Sequence, residues 1–135
     1  MVATAIRCRR GCPIANEITL SASLAITKND DDDDDLSVVA AQFNQTANTT
    51  LKGKVSVATS EQALALPAGT LGWAIFRNLD YTNYLEIRSA TGSSNDIIKI
   101  PARGVAMFHF GSDVTAPYAI ANTAACILQF LIATV

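Results

Sequence analysis

Catalysis needs a base, a nucleophile or a bound metal gathered in one place, and this chain offers few such groups. Its one histidine, His109, lies in the run Val105-Ala106-Met107-Phe108-His109-Phe110, which reads as a strand rather than a loop. A Ser-His-acid triad would have to assemble around it across a sheet, so the reading is a packed or interface histidine. The cysteines Cys8, Cys12 and Cys126 together with His109 match the ligand count of a Cys3His zinc site. However, Cys8-x3-Cys12 has no second close pair to complete that signature. Without a disulfide-framework spacing they read as free thiols of a reducing compartment. Six consecutive aspartates, Asp30 to Asp35, could offer oxygens to calcium. They lack the alternating ligands, the glycine and the terminal glutamate of an EF-hand loop, and charges this dense repel and extend. A solvated acidic loop at residues 29–35 follows, with loose divalent binding as its alternative. The sequons at Asn44 and Asn48 matter only in a secretory pathway. Gly69 and Gly72 stand between a turn and a strand, not before the helix N-terminus that would hold a phosphate. The expectation is a chain with no catalytic residues, no metal and no cofactor.

The elements that carry these groups read as short strands. From Glu17 to Thr27, Ile18, Leu20, Ala22, Leu24 and Ile26 alternate with polar residues, the period-two pattern of a half-buried strand. The pattern resumes from Leu36 to Phe43 and from Leu51 to Thr59, where Leu51, Val55 and Val57 oppose Lys52, Lys54 and Ser56. Ala63 to Leu66 stays open between strand and helical turn, and Pro67 with Gly69 ends it. Leu71 to Phe76 is apolar throughout, which predicts cover on both faces. Asn78 to Asn83, Asn-Leu-Asp-Tyr-Thr-Asn, reads as the turn of a hairpin into Tyr84 to Arg88. Further strands are expected at Ile97 to Ile100, Val105 to Phe110 and Tyr118 to Asn122, separated by turns at Gly92 to Asn95 and Pro101 to Gly104. Ala124 to Thr134 is read as a strand in preference to a helix, because its end is β-branched and aromatic and no helix cap precedes it. Turns every 8 to 12 residues predict an all-β fold, an antiparallel β-sandwich, jelly-roll-like, of eight or nine short strands. An extended N-terminal arm, residues 1–15, precedes one sandwich domain, 16–135.

Half of the 135 residues are hydrophobic and 16% are charged, below the roughly 25% of an ordinary soluble domain. So few charges suggest that other protein covers part of the surface. Mean hydropathy is +0.25, yet no apolar run approaches the roughly 18 residues of a spanning helix, which predicts a water-soluble chain. The first basic residue follows rather than precedes the apolar start, the reverse of a secretory leader. Six of the twelve acids lie in the aspartate run. The basic cluster Arg7, Arg9 and Arg10 is not interleaved with aromatics, so a nucleic-acid interface is not expected. Strands that look apolar on both faces need cover from symmetric copies or a lattice. The residues assigned to that interface are Arg7, Arg9, Arg10, Trp73, Phe76, Tyr81, Tyr84, Leu128 and Phe130. The runner-up is a carbohydrate-binding module that uses Trp73, Tyr81 and Tyr84 as stacking platforms, which requires those rings in solvent.

Three stretches carry a resemblance: Gly72 to Ile87, with its Asn-Leu-Asp-Tyr-Thr-Asn turn; Lys99 to Phe108; and Tyr118 to Ala125 with the apolar strand that follows. Together with Glu17 to Ala25 they resemble small virion structural proteins of tailed bacteriophages over about residues 16–135. The cysteine-containing arm up to Pro13 and the aspartate run depart from that pattern. The resemblance implies a non-enzymatic virion subunit, assembled in the host cytoplasm, that decorates or cements the capsid by binding the major capsid protein. The alternative it leaves is a tail or head-fibre component. It also implies a homo-oligomer, a trimer among the options, with no membrane partner.

Overall fold

The structure, a computed structural model, describes residues 18–26, 34–43, 50–65, 70–114 and 116–134. The arm with Arg7, Arg9, Arg10, Cys8 and Cys12, aspartates 30–33, both sequon asparagines and the Pro67–Gly69 turn lie outside the described residues. The chain divides into two compact units, residues 1–45 and 46–135.

The first unit contains one antiparallel pair, β1 (Ile18–Ile26) and β2 (Asp34–Phe43). Its register sets Ile18 opposite Phe43, Leu20 opposite Ala41, Ala22 opposite Val38 and Leu24 opposite Leu36. The register shifts by one residue between the middle two of these pairs, an extra residue in β2. The expected acidic loop is shorter than 29–35, because Asp34 and Asp35 pair with Ile26 and Ala25 as the first residues of β2. Ladder hydrogen bonds near the hairpin end extend the strand into the charged run.

The second unit is built of β3 (Thr50–Val57), β4 (Gln62–Ala63), β5 (Leu71–Asn78), β6 (Leu85–Arg88), β7 (Asp96–Ile100), β8 (Val105–His109), β9 (Tyr118–Ala121) and β10 (Cys126–Thr134). The undecided segment after Gln62 is thus a two-residue strand, and the C-terminal segment is a strand as expected. One sheet has the order β3-β10-β5-β8 and the other β4-β9-β6-β7. First strand pairs with last, second with seventh, third with sixth and fourth with fifth. This is one long antiparallel ribbon closed by the β6–β7 hairpin and rolled into two sheets, the jelly-roll order.

The rolled ribbon corrects one expectation: β5 and β6 do not form a hairpin but belong to opposite sheets. The residues between them make a corner. Asn78 is fully buried, and its amide donates to the carbonyls of Asn83 at 2.8 Å, Pro101 at 3.1 Å and Ile100 at 3.3 Å. Its side-chain oxygen accepts from the Asp80 amide at 3.0 Å. The Asp80 carboxylate in turn accepts from the amides of Thr82 at 2.8 Å and Asn83 at 2.6 Å, the local closure that suits Asx residues to turns. These bonds turn the chain out of one sheet and tie the corner to the Pro101–Gly104 turn, where β7 crosses back to β8.

Between the sheets Phe76 stacks on Phe108 at 5.6 Å and meets Phe110 edge-on at 6.2 Å. Around it lie Val57, Leu71, Leu85, Ile87, Ile100, Leu128 and Ile132. Phe130 packs over Gly53, its partner on β3, where an added Cβ would come within 3.1 Å of the ring. The Pro101–Gly104 turn is tighter still. A Cβ on Gly104 would stand 2.8 Å from the Pro101 ring and 2.9 Å from its carbonyl oxygen, neither of which can rotate away. Gly104→Ala is therefore expected to cost about 1–2 kcal/mol through backbone displacement, measured as a lowered midpoint in urea unfolding.

Candidate functional site

The two sheets present outer faces of opposite character. On the β4-β9-β6-β7 sheet, Glu86 and Arg88 of β6 share the outward side, and register sets Lys99 opposite Glu86 and Asp96 opposite Arg88. The β7 bulge at Ile97 brings about the second pairing, because an unshifted ladder would set Ile97 there. Arg88 binds Glu86 at 2.7 Å, Asp96 at 2.6 Å and Glu61 from the loop between β3 and β4, while Lys99 reaches Glu86 at 3.0 Å. Glu61 also accepts the Gly92 amide at 2.8 Å. Although outward, Glu86 and Arg88 are buried beneath their partners.

Burial pulls the Glu86 carboxyl up, but the hydrogen bonds from Lys99 and Arg88 outweigh it and hold the group below the usual range. The Gly92 amide, then Arg88, lower Glu61. For Arg88 burial works downward, and the hydrogen bonds to Glu86 and Glu61 prevail and raise it. Glu61 and Glu86, so held, stay ionised, part of an electrostatic clasp and poor general bases. Beside it a polar groove of about 290 Å³ is lined by Thr59, Tyr84, Glu86, Arg88, Ile120 and Asn122. The Lys99 ammonium sits 4.3 Å from the centre of the Tyr84 ring.

The outer face of the β3-β10-β5-β8 sheet is different. Inward residues alternate with Lys52 and Lys54 on β3, Ile127, Gln129 and Leu131 on β10, Trp73, Ile75 and Arg77 on β5, and Val105, Met107 and His109 on β8. One row runs Lys52, Leu131, Ile75, Met107, and the next Lys54, Gln129, Arg77, Val105. Ile75 is 38%, Leu131 43% and Val105 57% exposed. Around Lys52, Ile75, Arg77 and Leu131 the face dips into a mostly apolar depression of about 230 Å³. None of the residues that these three ladders turn outward is acidic. Among the described residues of this unit the opposite sheet covers the inner faces of β5 and β10, while Ile75, Ile127 and Leu131 on their outer faces are exposed.

The residues assigned to an interface separate along these lines. Trp73 lies half-buried on the outer face, meeting the His109 ring edge-on at 5.3 Å. Phe76 and Leu128 are fully buried between the sheets, so their place is the core and not a surface. The reason is parity, because alternate residues of an apolar strand face opposite ways. Phe130 also points inward, half-buried over Gly53. Tyr81 is 75% exposed on the corner, with the Arg103 guanidinium 5.1 Å from its ring centre. Arg103 holds a left-handed φ of 60°, which costs a non-glycine residue about 1 kcal/mol.

Tyr84 lines the groove of the other sheet, so Trp73, Tyr81 and Tyr84 do not form one stacking platform. Cys126 faces the core near the carbonyls of Asn83, Tyr84 and Ala124, on the opposite side of its sheet from His109, and the two cannot share a metal. Burial, then the Asp80 charge, pushes the Cys126 thiol up, which makes it unreactive. The sequence reading missed Lys52, Lys54, Ile75, Arg77 and Leu131 as a common surface. Their alternation was legible, but the strand order that joins them was not. No protein-family model, curated protein or solved structure matches the chain.

Proposed function

We propose that the chain is a non-enzymatic structural subunit of a tailed-phage particle, in its simplest form a capsid decoration or cement protein that binds the major capsid protein. The observation that carries this reading is the outer face of the β3-β10-β5-β8 sheet, where exposed Ile75, Leu131 and Val105 lie among Lys52, Lys54 and Arg77 with no acid between them. Large exposed apolar side chains on a rigid sheet mark an interaction surface, and the cations select an acidic partner surface. The jelly roll agrees by analogy only, since viral capsid proteins and lectins share it.

The test is copy number by quantitative mass spectrometry of purified particles, with expected stoichiometry near that of the shell subunit. A handful of copies moves the assignment to tail or fibre, and absence from particles overturns it. Ile75→Glu with Leu131→Glu is expected to leave the circular dichroism unchanged and to reduce incorporation at least tenfold, since two exposed apolar contacts are each worth about 1 kcal/mol.

One observation favours a second reading, carbohydrate binding: the polar groove beside Tyr84, lined by Glu86, Arg88 and Asn122. Glycan-array binding that Tyr84→Ala abolishes would establish it, and an array without signal removes it.

A further inference from the structure

The two sheets of the second unit end in the edge strands β3 and β8 on one and β4 and β7 on the other. An edge leaves a row of backbone donors and acceptors unpaired, and natural edges are blunted by charge, proline, bulges or shortness. Three of these strands follow that rule: β3 carries Lys52 and Lys54 on either side of Gly53, β7 carries Asp96 and Lys99 with a bulge at Ile97, and β4 has two residues. β8 has none of these devices. It reads Val105-Ala106-Met107-Phe108-His109, and its ladder to β5 runs without a register shift.

Two hydrogen bonds fix which of its backbone groups face the edge. The Asn78 amide donates to the Gly104 carbonyl at 2.9 Å, and the Phe110 amide donates to the Gly72 carbonyl at 3.1 Å. In an antiparallel ladder, residues that bond a given neighbour alternate with residues that face away from it. Gly104, Ala106, Phe108 and Phe110 therefore bond towards β5, and the amides and carbonyls of Val105, Met107 and His109 point to the open edge. Among the described residues no strand lies on that side. Val105 and His109 are exposed, and Phe108 is only half-buried although it points inward.

We propose that β8 pairs antiparallel with β8 of a second copy about a two-fold axis at Met107, joining the two β3-β10-β5-β8 sheets into one continuous sheet. The strand is its own complement in this register, as a two-fold contact requires. Val105 meets His109 of the second copy and Met107 meets its counterpart, which satisfies the edge with about six backbone hydrogen bonds. On the inner face Ala106 lies opposite Phe108 of the second copy, small against large, and the partner strand covers the ring that one chain leaves half-buried. The antiparallel direction also brings the exposed Arg103 before one strand to the end of the other, where the exposed Asp113 stands over Gly111. Opposite charges thus meet at both ends of the seam. The same operation on β3 about Gly53 would set Lys52 against Lys54, a like-charge pair. A seam of five-residue strands is about 17 Å long, so the association is concentration-dependent. The inference goes beyond the virion reading and does not rest on it.

Sedimentation of the full-length chain over a concentration series is expected to show a monomer–dimer equilibrium. Met107→Pro removes an amide that points to the open edge and not to β5, a place where a strand tolerates proline. Its circular dichroism is expected to match wild type while dimerisation weakens at least tenfold, since symmetry removes two of the interstrand bonds. Val105→Lys sets a charge on the edge without altering the backbone and is expected to act in the same direction. Cross-linking reads the register. In a Cys8→Ser, Cys12→Ser background, with Cys126 buried, Met107→Cys sets two thiols on adjacent strands about 5.5 Å apart at Cα, and a short bismaleimide is expected to join them. Ile75→Cys, separated from its counterpart by about 14 Å across three strand spacings, is expected to stay unlinked.

A wild type that is monomeric at every concentration overturns the proposal, including the case in which a segment of another protein occupies the edge. A dimer that Met107→Pro and Val105→Lys leave intact overturns it too, as does one that links through Ile75→Cys in preference to Met107→Cys. A dimer linked through Met107→Cys, from a chain absent from phage particles, leaves the β8 pairing standing and overturns only the virion assignment.

Discussion

Asn78→Asp is expected to be the most damaging near-isosteric change in the sandwich, lowering stability by about 4 kcal/mol. The Asn78 amide donates to three backbone carbonyls, those of Asn83, Ile100 and Pro101, from a fully buried position. A carboxylate there removes the donor and sets a negative charge against three carbonyl oxygens. Leaving buried polar groups unpaired costs about 1–3 kcal/mol each, and more when a charge is involved. Against total stabilities of about 5–15 kcal/mol, this is a large fraction.

The pH dependence identifies the cause. Burial and the facing carbonyls raise the folded-state pKa of the introduced acid above its unfolded value. The variant is then least impaired below the unfolded pKa, where the protonated acid can still donate one hydrogen bond, and loses stability as pH rises through the folded pKa. Asn78→Leu, which cannot titrate, is expected to show a deficit independent of pH. Urea unfolding followed by Trp73 fluorescence between pH 4 and pH 8 measures both, and parallel pH profiles for the two variants would refute the carbonyl account.

The second large effect concerns Arg88. Its guanidinium is shared by Glu86, Asp96 and Glu61, so Arg88→Met leaves three carboxylates around an apolar side chain, with Lys99 alone to hold Glu86. Breaking a fully dry ion pair costs about 3–5 kcal/mol, and the partial exposure of Asp96 and Glu61 reduces the expected loss to about 2 kcal/mol.

Its pH signature has the opposite sign to that of the Asn78→Asp variant. Glu61 and Glu86 titrate below their usual range in the folded chain. Their contribution is present above the unfolded carboxylate pKa of about 4 and is lost as pH falls through the lowered folded values. In Arg88→Met that acid-side decline is expected to flatten, so the two stability curves converge towards low pH. A constant gap at every pH would mean that Arg88 acts through packing of its aliphatic stem rather than its charge.

Both predictions depend on contacts between segments far apart in sequence. Residues that alternate over a few positions were legible from local pattern: the faces of Leu51 to Val57, the strand from Ala124 to Thr134, and the all-β class with its jelly-roll character. The turn at Asn78 to Asn83 was legible as a turn, because Asn and Asp close on nearby amides whatever surrounds them. Its role as a corner between sheets was not, because the Asn78 bonds to Ile100 and Pro101 arise only once the ribbon has rolled up.

The same distinction governs the candidate surface. Lys52, Leu131, Ile75 and Met107 are separated along the chain by tens of residues and become one row only through the order β3-β10-β5-β8. In continuously apolar runs such as Leu71 to Phe76, period-two reasoning has no polar partner to mark the outward side. It therefore could not tell that Phe76 belongs to the core and Ile75 to solvent. Composition by itself, through its shortage of charge, gave only the expectation that part of the surface is covered by other protein. Tertiary pairing decided which apolar side chains are exposed, because a strand's sides acquire an inside and an outside only when a second sheet packs against one of them.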